Sequence, residues 1–244
     1  MLKKILFVTL FMSSTILFAQ VTHINYDAKF GIFGTIGSLK TKLTKNGSKY
    51  EIDTKMALTG LAKRLFSRHK GRYISKGHIS NGLMITDLYQ VIERYDDMVV
   101  SKEYWTNHKR KKVTLKIKKW KSGKLIENRK ERLKFYAKDD LLTFYFNLDR
   151  AITKKGKKYH FKVVGLEKQK GRIAITVPSP SKSDSYKKDL GDSANWYAKA
   201  LVYQKNFRKK KGDILMSVSE DGYIKKAVIK DILMYGDASI ERAK

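Results

Sequence analysis

The sequence predicts a mainly β protein: a large, curved antiparallel sheet or incomplete barrel with one or two short helices. Three observations predict it. Apolar and polar residues alternate with period two over much of the chain, the pattern of strands with one buried and one wet face. Asn46-Gly47, Ser122-Gly123 and Glu220-Asp221-Gly222-Tyr223 fall between such runs as turn signals. Fourteen tyrosines and eleven phenylalanines, against two prolines, favour sheet over a helix bundle.

Taken in order, the elements begin with a targeting segment. Met1-Leu2-Lys3-Lys4 is followed by an apolar run over residues 5–18, broken by Thr9 and Ser13-Ser14-Thr15, and then by Ala19. That order predicts a secretory signal peptide cleaved near Ala19, with a run too short and too broken for a membrane span. The expectation is therefore an exported, periplasmic protein with a single β-rich domain over residues 20–244. Leu39, Thr41 and Leu43 alternate with Lys40 and Lys42 up to Asn46-Gly47, and Tyr50, Ile52, Thr54 and Met56 form the return strand. Leu58, Leu61, Ala62, Leu65, Phe66 and His69 have helical spacing instead. Val113, Leu115 and Ile117 alternate with Lys112, Lys116 and Lys118, and Ser122-Gly123 turns the chain into residues 125–135.

Leu141, Phe144, Tyr145 and Leu148 form an i, i+3, i+4, i+7 set behind Asp139-Asp140, which suit an N-cap and the positive end of a helix dipole. This helix either packs into the core or lines a ligand groove. Residues 159–164 and 172–177 read as strands, and 178–193 as a loop by composition. Residues 195–207 fit a helix stripe through Trp196, Ala200, Tyr203 and Phe207, or a strand by their tyrosine and valine. Residues 214–219 and 224–234 make the closing hairpin.

Composition sets bounds on function. The chain carries 53 basic and 23 acidic residues, a formal net charge of +30. Loss of the first nineteen residues removes Lys3 and Lys4 and no acid, leaving +28. Residues 102–134 hold fourteen Lys or Arg and three acids, a surplus of 11. Such a surface attracts polyanions. A lysine coat also simply keeps a protein soluble, and lysines on a strand blunt a sheet edge. Cysteine is absent, so no lipoprotein anchor and no disulfide is available to the exported chain.

Catalytic signals are missing. The five histidines show no local ligand spacing and no cysteine assists them, so no metal site or cofactor is expected. There is no Gly-x-Ser-x-Gly elbow. Gly31-Ile32-Phe33-Gly34-Thr35-Ile36-Gly37 lies between β-type segments, where glycine serves a bend rather than phosphate binding. Asp96-Asp97 and Asp139-Asp140 read as turn and cap acids rather than as a general acid/base couple.

Three segments together resemble an exported bacterial family, domain of unknown function 3108: residues 77–83 with Asp87-Leu88-Tyr89, residues 140–148, and residues 215–224. The resemblance spans most of residues 24–235. It implies a large curved antiparallel sheet, turns residues 195–207 toward strand, and supplies architecture and compartment but no established activity.

The functional expectation is a non-enzymatic periplasmic envelope protein that binds an amphiphile or an anionic envelope component. Candidate partners are anionic lipid, lipopolysaccharide or an envelope polymer, met by Lys112, Lys116 and Lys118. The alternative is an interaction protein docking on an envelope protein complex through its basic face. An envelope hydrolase ranks last, and nucleic acid is disfavoured by the compartment.

Overall fold

In the computed structural model the chain is described over residues 19–60, 63, 69–166, 169–202, 212–232 and 236–243. The proposed signal peptide, apart from Ala19, lies outside the described residues, as do 61, 62 and 64–68 of the predicted first helix. Tyr203 and Phe207 also lie outside them.

The first eight strands form a meander: β1 (Gln20–Phe30), β2 (Thr35–Asn46), β3 (Lys49–Leu58), β4 (Lys70–Ser80), β5 (Leu83–Tyr95), β6 (Met98–Asn107), β7 (Lys112–Lys121) and β8 (Lys124–Arg132). A two-residue β9 (Asp139–Asp140) leads into helix α1 (Leu141–Ala151). Then come β10 (Lys158–Val164), β11 (Arg172–Thr176), a short helix α2 (Asp184–Leu190), β12 (Trp196–Val202), β13 (Gly212–Val218), β14 (Ile224–Ile232) and β15 (Gly236–Arg242). All fifteen strands belong to one sheet, ordered β8-β7-β6-β5-β4-β3-β2-β1-β15-β14-β13-β12-β11-β10-β9. Every pairing is antiparallel except the short parallel contact of β9 with β10.

The turn chemistry explains the register. At the first hairpin the strand runs one residue further than Asn46-Gly47 suggests: Asn46 pairs with Lys49, and the turn is Gly47-Ser48 with Gly47 at φ 56°. Leu43 then faces Ile52, Thr41 faces Thr54 and Leu39 faces Met56, the predicted face. The hydroxyls of Thr41 and Thr54 meet across it at 3.0 Å. Ser122 and Gly123 both take positive φ, 48° and 80°, as a type I′ hairpin requires.

The sheet curves around α1, which contacts β4 and β5 on one side and β9 and β10 on the other. Phe144 and Leu148 pack with Val163, Ile175, Val177 and Val218 in one cluster, with Leu141 and Tyr145 against it. The opposite side of the helix is buried too: Phe146 packs with Ile24, Tyr26, Leu43 and Ile52. Phe144 and Leu148 are therefore buried in the core, with Leu141 and Tyr145 partly buried against it.

Within the stripe proposed from Leu58 to His69, Gly60 and Lys63 are helical, while Leu58 closes β3 opposite Gly37, so the helix starts later than proposed. One expectation is corrected. The stretch 178–193 is not all loop: α2 lies within it, and Leu190 and Tyr186 pack on Tyr197 and Val228. Two apolar residues one turn apart hold it, in a segment whose serines, lysines and aspartates read as coil.

Candidate functional site

In β7 the predicted alternation is present. Val113, Leu115 and Ile117 are 0–4% exposed and join the core. Lys112, Lys116 and Lys118 occupy the other, outward face. The register with β8 sets Lys130 beside Lys116 and Arg132 beside Thr114, which extends the cationic row to a second strand. Glu103 of β6 faces Lys116 as a counter-charge and accepts from Trp105 Nε1 at 3.4 Å. Trp105 itself is 52% exposed, and Leu125 and Ile126, at the start of β8, are 51% and 55% exposed. The outer face of β6–β8 thus carries cations with exposed apolar residues around them.

These lysines do not blunt a sheet edge, because β7 is an interior strand and the edge is β8. That edge has its own protection on the inner face. Arg129 bridges Glu127 and Glu131 at 2.6 Å each, and Lys119 holds Glu127 at 2.5 Å. Hydrogen bonds from Lys119 and Arg129 keep the Glu127 carboxyl below its ordinary range. Inward-pointing charges of this kind oppose pairing with a second chain.

Inside the fold, Asp140 caps α1. Its Oδ1 accepts the amides of Leu142 (2.7 Å) and Thr143 (3.2 Å). Its Oδ2 accepts hydroxyls of Ser75 (2.5 Å), Thr86 (2.7 Å) and Thr143 (2.9 Å). Tyr50 closes the network onto Thr143 at 2.8 Å. The carboxyl is fully buried, and burial pushes its pKa up against these five donors. Asp139, half-buried beside it, is pushed up to about 7 by burial and then by the charge of Asp140. A neighbouring Tyr26–Tyr145 hydroxyl pair is anchored where Tyr26 donates to the Ile224 carbonyl at 2.7 Å. Each of these groups is satisfied within the protein, and the geometry matches a structural clamp between helix and sheet. Asp140 fulfils the predicted cap role.

A second polar cluster was invisible to local spacing. The β4–β5 register runs Lys76↔Leu88 and then Gly77↔Thr86, which leaves Asp87 as the extra residue of a β-bulge. Gly77 makes the bulge possible: a Cβ there would lie 1.9 Å from the Ile85 carbonyl oxygen. The bulge turns Thr86 inward, 1% exposed, and Asp87 outward. Both carboxylate oxygens of Asp87 lie 3.1 Å from His78 Nδ1. His108, just past β6, places Nε2 at 3.2 Å from Asp87 Oδ1 and 2.9 Å from the Thr86 carbonyl oxygen, while its Nδ1 meets Tyr136 Oη at 3.0 Å. His78 and Asp87 also line a shallow cleft of about 440 Å³ with Tyr50 and Gly77. Only the sheet register brings positions 78, 87 and 108 together. The one sequence signal that could have pointed there is Gly77 beside His78.

The chain was compared with family models, curated proteins and solved structures. No family model matches the chain. No curated protein matches it either. The chain is similar to the crystal structure of a beta-barrel-like protein of domain of unknown function DUF1849 from Brucella abortus, with 9% identity and a TM-score of 0.48, over 90% of this chain and 93% of that one.

Proposed function

We propose that this is a non-enzymatic protein of the bacterial envelope that binds an anionic component of that envelope through the outer face of β6–β8. The observation that carries the reading is the row Lys112, Lys116, Lys118, Lys130 and Arg132 on one sheet face, with Trp105 exposed beside it. Lysines reach anionic headgroups or polymer phosphates as point charges, and an exposed indole suits the boundary between water and acyl chains. The helix-filled interior favours surface binding over an enclosed acyl chain. The periplasm is proposed on the signal-like first nineteen residues.

Each lysine near an anionic surface contributes about 1 kcal/mol at moderate salt. Changing Lys112, Lys116 and Lys118 together to glutamine should remove about 3 kcal/mol, a loss of roughly 100-fold in partitioning. The experiment is co-sedimentation of the mature protein with phosphatidylglycerol vesicles, phosphatidylcholine vesicles and lipopolysaccharide across a salt series. Binding should require the anionic component and weaken as screening shortens to about 8 Å at physiological ionic strength. A triple variant that binds like the parent, or a parent that ignores anionic vesicles at low salt, refutes the reading. The alternative, docking on an envelope protein complex, would then remain to explain the basic face.

A further inference from the structure

We propose that His78, Asp87 and His108 form a binding site for a divalent first-row transition metal, with Zn²⁺ as the representative ion. Each side chain offers one ligand atom, and the three lie within 4.8 Å of one another. Two of the three separations, 3.1 Å and 3.2 Å, already match the edge of about 3.3 Å expected between ligands of a tetrahedral zinc centre. Two imidazoles with one carboxylate select zinc, copper, nickel or iron over magnesium or calcium, which want oxygen alone.

The surroundings fit a site rather than a chance cluster. The bulge at Asp87 re-aims a carboxylate between two histidines that sit on different parts of the sheet. His108 has an orienting partner on its far nitrogen, Tyr136 Oη at 3.0 Å. Without a cation, one Nε2 proton serves the Thr86 carbonyl. On coordination Nε2 presents its lone pair to the metal, and the ring proton moves to Nδ1 and donates to Tyr136. Such partners fix the tautomer and position of a ligating imidazole. The side chains of His78, His108 and Asp87 keep 41%, 25% and 50% of their surface in solvent, so a fourth position stays open to water or to an external ligand. His108 lies in the turn between β6 and β7, bordering the basic face, but the three ligands are other residues than those of that face, so the proposal does not rest on the function proposed for it.

The test uses the mature protein, freed of metal with a chelator and then titrated with Zn²⁺ by calorimetry. One saturable site is expected. Co²⁺ in the same site should give visible bands of low-coordinate cobalt that Zn²⁺ displaces. His78→Ala, at a half-buried position, and Asp87→Asn, at an exposed one, should abolish the site, and Tyr136→Phe should weaken it roughly tenfold. His160→Ala, on β10, should leave it unchanged. Near-UV circular dichroism checks the fold of each variant, and if Asp87→Asn misfolds, His78→Ala decides. Absence of saturable Zn²⁺ binding, or binding that persists in His78→Ala, overturns the proposal.

Discussion

Replacing Asp140 by alanine should be among the most damaging single changes in this protein. Among the described residues the carboxylate accepts the amides of Leu142 and Thr143 at the start of α1, and it gathers hydroxyls of Ser75, Thr86 and Thr143. Losing the cap costs about 1 kcal/mol, up to about 2. The hydroxyls can turn to one another, since Ser75 and Thr143 lie 2.8 Å apart and Thr86 and Thr143 3.0 Å. The two amides cannot, and a buried donor without a partner costs about 1–3 kcal/mol. Asp140→Ala should therefore lose about 3–5 kcal/mol, taking the cap and the orphaned donors as overlapping parts of one loss. Asp140→Asn keeps Oδ1 for both amides and offers two Nδ2 protons to the three hydroxyls, so about 1–2 kcal/mol is expected. The assay is urea unfolding followed by tryptophan fluorescence. Trp196 is a suitable reporter because it is 5% exposed and donates to Asp149 at 2.8 Å. In melting temperature the alanine change amounts to roughly 10 °C for a domain of this size. An alanine variant within about 0.5 kcal/mol of the parent, the range of ordinary surface substitutions, refutes the clamp.

Two further outcomes are expected. Leu148, 3% exposed against Val163 and Ile175, should lose about 2–5 kcal/mol on change to alanine, and an unchanged urea midpoint would place the helix outside the core. Asp139 holds its proton more tightly in the folded state, at about 7 against an ordinary 3.8. Its contribution is thus fully present below about pH 4 and lost as pH rises through about 7. At about 1.36 kcal/mol per pH unit the ceiling is near 4 kcal/mol, and solvent contact of this half-buried group reduces it to roughly 1–2. Asp139→Asn should flatten the fall in stability between about pH 4 and 7, and identical slopes in parent and variant would show that the carboxyl ionises freely.

The hairpins were legible in the sequence because their signals are local. Ser122-Gly123 and the alternation of Val113, Leu115 and Ile117 need only adjacent residues to be read, and the spacing of Leu141, Phe144, Tyr145 and Leu148 marks one face of α1 in the same way. The other face was hidden. Thr143 and Asn147 look like a wet side, yet both are buried, since the sheet wraps the helix and supplies partners; Asn147 exchanges hydrogen bonds with the backbone of Met84. The interior position of β7 follows from strand order, which composition does not encode. The His78–Asp87–His108 cluster depends on a bulge that shifts β5 by one residue, and a one-residue shift changes which side chains share a face.

The place where β1 meets β15 has a consequence for how the chain folds. Two strands far apart in the sequence are neighbours in the middle of the sheet, with Tyr26 opposite Arg242 and the Ala243 amide bonded to the Asn25 carbonyl. Each arm can pair its own sequence-adjacent strands first. The seam between the arms must wait for β15. Until then the first strand shows one row of unpaired amides and carbonyls to its surroundings, a template for wrong partners. Without β15 the first eight strands would pair among themselves and yet never seal to the second arm, so the pairing of β15 with β1, rather than collapse of the early strands, commits the molecule to its finished shape.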